Sequence, residues 1–387
     1  MRSLAVAIIA ALALPLAASA QAPAPYEMYA ILDLTGPAAF VGKAEAQSLE
    51  AMESIVNRSG GIRGRPVHFV VQDGQSNPVT IVQLFNEIAA KNIPIVIGPS
   101  IGADCLAVLP LIGNGPVSYC LSNAVHPPAN SYMFSALASS SDLAVQAIRY
   151  YRSQGWTRIA TLNTTDASGK DGDTVIAAAL ALPENKNVQL VAAEHFNPSD
   201  ISVAAQLTRI KAAGAQALIG WATGSPFGTL LRGLSDGGYD LPVITHAGNV
   251  STAEMEQFAA FLPQRLFLVG YRFLGDSGKE PPAIRNVQTQ FRAAFRTIGI
   301  TPDVASGSAW DGTLVAIAAL RALGTNAAPR AVRDYIENLH DFAGIDGLMD
   351  FRGGNQRGLT SDAALIVRWD APRKEFVAVT APGGKPL

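Results

Sequence analysis

Short apolar runs rich in β-branched residues alternate along this chain with longer stretches whose apolar positions recur every three or four residues. The first kind of run predicts buried strands and the second amphipathic helices. Tyr26 to Leu34, Val67 to Val71, Ile95 to Ile97 and Val117 to Leu121 read as strands. Between them lie a helix from about Lys43 to Arg58, a second opening with Asn77 as cap and Pro78 in its first turn, and a third from Ala103 to about Ile112. The Gly-rich cluster Asn57 to Pro66 is where the first helix stops and the chain reverses.

From about Ser139 the alternation restarts. A helix (Ser141 to Gln154) precedes strand Arg158 to Leu162, a polar loop Asn163 to Asp171, and a helix ending near Leu182. Strand Val188 to Ala193, helix Asp200 to Ala213, strand Ala217 to Trp221, helix Phe227 to Asp236 and strand Pro242 to Thr245 follow. Strand Leu266 to Val269 and helices Ala283 to Ile298 and Ser306 to Leu323 read as pieces returning to the first unit. Strands Ala364 to Trp369 and Phe376 to Val379 then close the second. Strand–helix alternation of this kind builds open parallel sheets, so the pattern predicts an α/β chain of two similar lobes.

Composition narrows the class. Apolar residues make up 49% of the 387 and charged residues 16%, enough for a large core and against disorder. The formal charge is −2 and no stretch accumulates basic residues, which argues against nucleic acid or an acidic membrane surface as partner. Met1-Arg2, the uncharged run Ser3 to Ala20 and the ending Ala18-Ser19-Ala20 predict a secretory signal peptide, residues 1–20, interrupted by Pro15 and cleaved after Ala20. Export makes a disulfide between the only cysteines, Cys105 and Cys120, an alternative to two buried thiols. The five histidines are scattered without ligand spacing, so neither a metal nor another cofactor is expected.

Candidate chemistry concentrates at two strand ends. Gly98-Pro99-Ser100-Ile101-Gly102 and Ser122-Asn123 put small residues, hydroxyls and backbone N–H groups at the carboxyl edge of a parallel sheet, where a helix N-terminus favours an anion. This reads as half of a site for a small carboxylate-like ligand. The same Gly-x-Ser-x-Gly also fits the nucleophile elbow of an exported serine hydrolase, with Ser100 as nucleophile, His246 or His340 as base and Asp166 or Asp240 before it. Against that reading, no His-Gly-Gly-Gly-type segment precedes it, the serine follows only the third strand, and Pro99 restricts the turn.

The order of landmarks resembles the periplasmic solute-binding proteins of the leucine/isoleucine/valine-binding type. They are Leu34-Thr35-Gly36-Pro37 with Gly42, Asn57 through Gly64, Asp73 with Asn77-Pro78, and Gly98-Pro99. Asp166 through Lys170, Pro302-Asp303 with Ala309-Trp310-Asp311, and Phe351 through Asn355 complete the set. The resemblance implies two Rossmann-like lobes with parallel central sheets (periplasmic binding fold type I), joined by three hinge crossovers near Leu137–Ser140, Arg272–Gly275 and Ile345–Phe351. Lobe 1 would comprise residues 26–138 and 273–345, and lobe 2 residues 139–272 and 346–387. It further implies a monomer in the periplasm that takes a small organic acid or amino acid between its lobes and hands it to an inner-membrane permease of an ABC importer. A sensor role on the same fold is the alternative.

The family's site positions fall on Ser100, Ile101 and Gly102, on Tyr119 to Asn123 with Ser122 among them, and on Val41 with Phe40 beside it. In the second lobe they fall on Ser168, Thr223 and His246, with Tyr271 at the hinge. Ile101 and Gly102 stand where relatives often carry Ser or Thr, and no Asp or Glu stands near His246 where an acidic group often holds a substrate ammonium. The expected ligand therefore carries a carboxylate or amide on an apolar or aromatic body, with Trp221, Phe227 and Trp310 as further candidate walls.

Overall fold

The computed structural model describes residues 23–275 and 280–387; the expected signal peptide lies outside them. The first unit runs β1 (Tyr26–Leu32), α1 (Ala39–Arg58), β2 (Val67–Asp73), α2 (Pro78–Ala89), β3 (Ile95–Ile97), α3 (Gly102–Val108), β4 (Val117–Cys120) and β5 (Met133–Ser135). Its five strands form one parallel sheet in the order β2-β1-β3-β4-β5. The central β3 is Ile-Val-Ile and wholly buried, each such side chain stabilising the fold by about 1.5–3 kcal/mol. Three-residue β5 escapes the sequence pattern because it is too short to show a period.

The second unit continues α4 (Ser140–Ser153), β6 (Arg158–Thr164), α5 (Ala167–Leu180), β7 (Gln189–Phe196), α6 (Ala204–Ala212), β8 (Ala217–Trp221), α7 (Ser225–Asp236), β9 (Val243–Thr245), α8 (Thr252–Gln257) and β10 (Leu266–Tyr271). Strand β10 does not return to the first lobe; it pairs in parallel with β9. The returning elements are helices, α9 (Pro282–Ile298), α10 (Val304–Leu323) and α11 (Pro329–Glu337). A small ladder of β11 (Phe342–Ala343) and β12 (Leu348–Met349) follows, and β13 (Ala364–Asp370) and β14 (Glu375–Ala378) complete the second sheet. That sheet has the order β14-β13-β10-β9-β8-β6-β7, its last two strands in sequence antiparallel.

Helix α10 carries the Asp303–Ser306 capping box and is buried along most of its length, lying against α1. Gly312 lets it approach β4, since a Cβ there would fall 2.8 Å from the Tyr119 ring. On α1 the buried stripe is Val41, Glu45, Ser48, Leu49, Met52 and Val56, at helical spacing.

The segment 346–359, expected in the second lobe, sits on the first. Phe351 packs edge-on against Phe134 of β5 at 5.8 Å, and Gln356 Nε2 donates to Met133 O. The last passage between lobes therefore comes after Leu359, where a 3-10 turn at Ser361–Ala363 leads into β13. The expected helix starts also shift. Helix α1 begins at Ala39 and α5 at Ala167, so Phe40, Val41 and Ser168 lie in first turns and not in loops. Cys105 and Cys120 are disulfide-bonded, tying α3 to β4. Among the described residues no helix is long and apolar enough to cross a membrane.

Candidate functional site

The carboxyl ends of both sheets face each other, and a cavity lies between them. From the first lobe it is lined by Val41 and Glu45 of α1, Ser100 to Gly102 after β3, Leu121 to Ala124 after β4, and Val304, Ala305 and Ser308 of α10. The second lobe contributes Ser168 in the first turn of α5, Trp221 and Thr223 after β8, and His246 and Gly248 after β9. The lobes touch around it: Ser225 N donates to Pro37 O at 3.4 Å, Val304 N to Val250 O at 3.2 Å, and His126 Nε2 lies 3.0 Å from Asp171. The cavity is small, about 40 Å³.

Nine of the twelve expected site residues meet at this cavity: Val41, Ser100, Ile101, Gly102, Ser122, Asn123, Ser168, Thr223 and His246. Three do not. Phe40 turns outward from α1 to meet Phe258 at 6.4 Å, on the far side of the seam between lobes. Tyr119 points the opposite way from Ser118 and Cys120 on β4, stacking on Phe134 at 6.3 Å inside the first core. Tyr271 is buried at the crossing, where its hydroxyl donates to Ala138 O at 3.2 Å and accepts from Asn123 Nδ2 at 3.4 Å. Of the further walls proposed, Trp221 lines the cavity, whereas Phe227 and Trp310 are core, the latter edge-on to Phe291.

Hydrogen bonds fix the wall groups. The Ser100 hydroxyl accepts from Asp33 N at 3.1 Å and donates to Glu45 Oε2. A catalytic histidine is not what it engages. His246 has both ring nitrogens occupied by its own lobe: Nδ1 accepts from Gly248 N at 3.1 Å, and Nε2 lies 3.1 Å from Ala222 O. Burial pushes its pKa down to about 4, so it is neutral and presents its ring beside Trp221 at 5.0 Å. Asn249 holds the 222–224 turn by donating to Ala222 O and accepting from Gly224 N.

Among the described residues no lysine or arginine lines the cavity. Positive potential comes instead from the N-termini of α5 and α10, whose first turns contribute to its lining. It also comes from Arg357, buried just behind the wall and donating to Asn123 O, Val125 O and Ser135 Oγ. Sequence reading missed Arg357 because it stands 234 residues from Asn123 in the chain. It also missed Glu45, although four residues after Val41 places a carboxyl on the buried face of α1. Among the described residues no group of His, Cys, Asp or Glu could hold a metal.

The periplasmic binding protein family model matches residues 30–374. The chain is similar to Leu/Ile/Val-binding protein homolog 3 of Brucella melitensis, 23% identical over 347 residues that cover 88% of this chain and 90% of that one. Among solved structures it resembles an extracellular ligand-binding receptor from Rhodopseudomonas palustris HaA2, with TM-score 0.80 and 20% identity over 92% of this chain and 99% of that one. It also resembles a fatty acid ABC transporter substrate-binding protein from Thermomonospora curvata, with TM-score 0.75 and 16% identity over 93% of each.

Proposed function

The chain belongs to the periplasmic binding protein family, and from that premise we propose that it captures a small carboxylate-bearing ligand between its lobes and presents the closed form to the permease of an ATP-driven importer. The observation that carries this reading is the cavity itself, built from strand ends of both sheets and enclosed where the lobes touch. Its lining combines polar groups, Ser100, the Ile101 and Gly102 amides that open α3, Ser122 and Asn123, with the buried Arg357 cation behind Asn123. Val41, Leu121, Val304 and Trp221 add apolar surface. A small acid with a short branched body suits that mixed lining.

Hinge closure would be the working motion, with Tyr271 at the crossing as an anchor. No covalent step is invoked. Ser100 donates its hydrogen bond to Glu45 and His246 spends both nitrogens on its own lobe, which counts against the hydrolase reading. The relative named for Leu, Ile and Val keeps branched amino acids as a second ligand class. Export to the periplasm and a monomeric state belong to this proposal.

A thermal-shift screen against branched aliphatic acids, their amides and branched amino acids tests it. A ligand at about 100 times its dissociation constant adds about 2.7 kcal/mol to the native state, a visible rise in melting temperature. We expect acids to lead. Shifts from amino acids alone would overturn the carboxylate reading, and hydrolysis of a chromogenic ester that disappears in Ser100→Ala would overturn the binding-protein reading.

A further inference from the structure

Among the described residues Glu45 is the one carboxyl lining the cavity. It is fully buried, Oε2 accepts from Ser100, and Oε1 has no hydrogen-bond partner among the described residues. The Ser100 hydroxyl carries a single hydrogen. Its oxygen accepts from Asp33 N, and Glu45 Oε2 is the one acceptor that hydrogen meets among the described residues. With Ser100 as the donor to Oε2, a proton belonging to Glu45 itself resides on Oε1, the oxygen left without a partner among the described residues.

The groups facing Glu45 favour that proton. From the end of β1 comes the buried Asp33 carboxyl, with Asp104 of α3 beside it. From the cap of α10 comes Asp303. Lys43 of α1 lines the groove on the other side of the helix. The cavity group across from it in the second lobe, His246, is neutral. Burial without a cation, next to other carboxyls, pushes the Glu45 carboxyl up to about 8.

We propose that Glu45 is a neutral carboxylic acid that donates Oε1–H to the carboxylate of the ligand, and so selects acceptor-bearing ligands against those carrying an ammonium group. This rests on the carboxylate reading above. Ser100 is then a positioning residue: it fixes which oxygen of Glu45 carries the proton. The ligand's second oxygen is left for the amides of Ile101 and Gly102 or the Ser122 hydroxyl. Once Glu45 ionises, an anion would face an anion, and binding has to take up a proton.

Calorimetric titration with 3-methylbutanoate, 3-methylbutanamide and 3-methylbutylamine, from about pH 6.5 to 9.5, reads this directly. The acid should bind best, with affinity level up to about pH 8 and then falling about tenfold per pH unit, the slope of one required proton. Glu45→Gln keeps a donor without a titrating proton, so its affinity for the acid should stay level across the range. Acid binding with the same pH profile in both proteins would overturn the role of Glu45 and leave the carboxylate reading intact. Tighter binding of the amine, strengthening as pH rises through 8, would overturn both. If none of the three binds, the ligand class is wrong. The ligand-free protein then decides the remainder through the side-chain carboxyl 13C signals of its glutamates. One that titrates near pH 8 and vanishes in Glu45→Gln upholds the neutral acid, and no such signal overturns it.

Discussion

Gly224 is one of the places where the two lobes come into backbone contact, and replacing it separates lobe stability from lobe closure. It lies between β8 and α7 with φ +71°, and a Cβ added there would fall 2.3 Å from the Pro37 carbonyl oxygen of the first lobe. Ordinary contact begins near 3.4 Å, so Gly224→Ala must hold the seam open by about 1 Å. It would also stretch the Ser225 N to Pro37 O bond, already 3.4 Å long. Two costs arise and act differently. The left-handed backbone strain, about 1–3 kcal/mol, is present with the lobes open or closed, so it lowers the melting temperature but cancels from the binding equilibrium. Contact with Pro37 exists only in the closed state. Overpacking of this kind costs about 1–3 kcal/mol, and apparent affinity should therefore fall about 5- to 150-fold. Calorimetry of wild type and Gly224→Ala with the same carboxylate, beside melting curves without ligand, separates the two. A lowered melting temperature with unchanged affinity would refute the reasoning, because the Pro37 contact could not then belong to the bound state.

Ser100→Ala strands Asp33 N and Glu45 Oε2; stability should drop by about 1–3 kcal/mol and carboxylate affinity at least several-fold, and unchanged affinity in a titration removes Ser100 from the site. Burial raises the carboxyls of Glu45 and Glu254 to about 8, and also raises Asp33, Asp104, Asp303, Asp311 and Asp346. These groups hold protons in the fold that the unfolded chain releases above its ordinary carboxylate range, so urea-unfolding free energy should fall as pH rises from about 5 toward 8, with Glu45 and Glu254 each contributing at most about 1.4 kcal/mol per unit. His246, held near 4, acts oppositely between about pH 4 and 6.5, which places maximum stability on the acid side of neutrality. Glu254 faces Asp303 across the seam, with both carboxylate oxygens unpartnered among the described residues, so Glu254→Gln should flatten the slope between about pH 5 and 8, and parallel profiles would contradict its raised carboxyl. Replacing Cys105 and Cys120 together by Ala opens a 15-residue loop and should cost about 3 kcal/mol, lowering the melting temperature by roughly 5–10 °C.

The order of strands and helices was legible because each central strand is a short β-branched run closed by Gly, Pro or Asn, as at Ile95-Val96-Ile97-Gly98. Helix starts were placed late where the first turn is small or polar. Ala39 opens α1 beneath a cap at Ala38 without a side-chain bond, and Ala167 opens α5 under the Asp166 cap. The segment 346–359 was assigned to the wrong lobe because its attachment, Gln356 to β5, depends on a partner more than 200 residues away. The candidate site divided along the same line. Residues at strand ends, such as Ser100 and Thr223, follow from topology alone. Which way Phe40, Tyr119 and Tyr271 turn depends on packing against Phe258, Phe134 and Ala138. Glu45 was visible as a charge on the apolar stripe of α1, and its role emerges only from the Ser100 contact.

A crystal structure of the protein grown with the best-binding small acid tests the central claim most directly. The account predicts the acid enclosed between the lobes, its carboxylate within hydrogen-bond distance of Glu45 and the Ile101–Gly102 amides, and its apolar body against Val41, Leu121 and Trp221. A ligand bound elsewhere on the surface, or one turning its carboxylate away from the first-lobe wall, would contradict it.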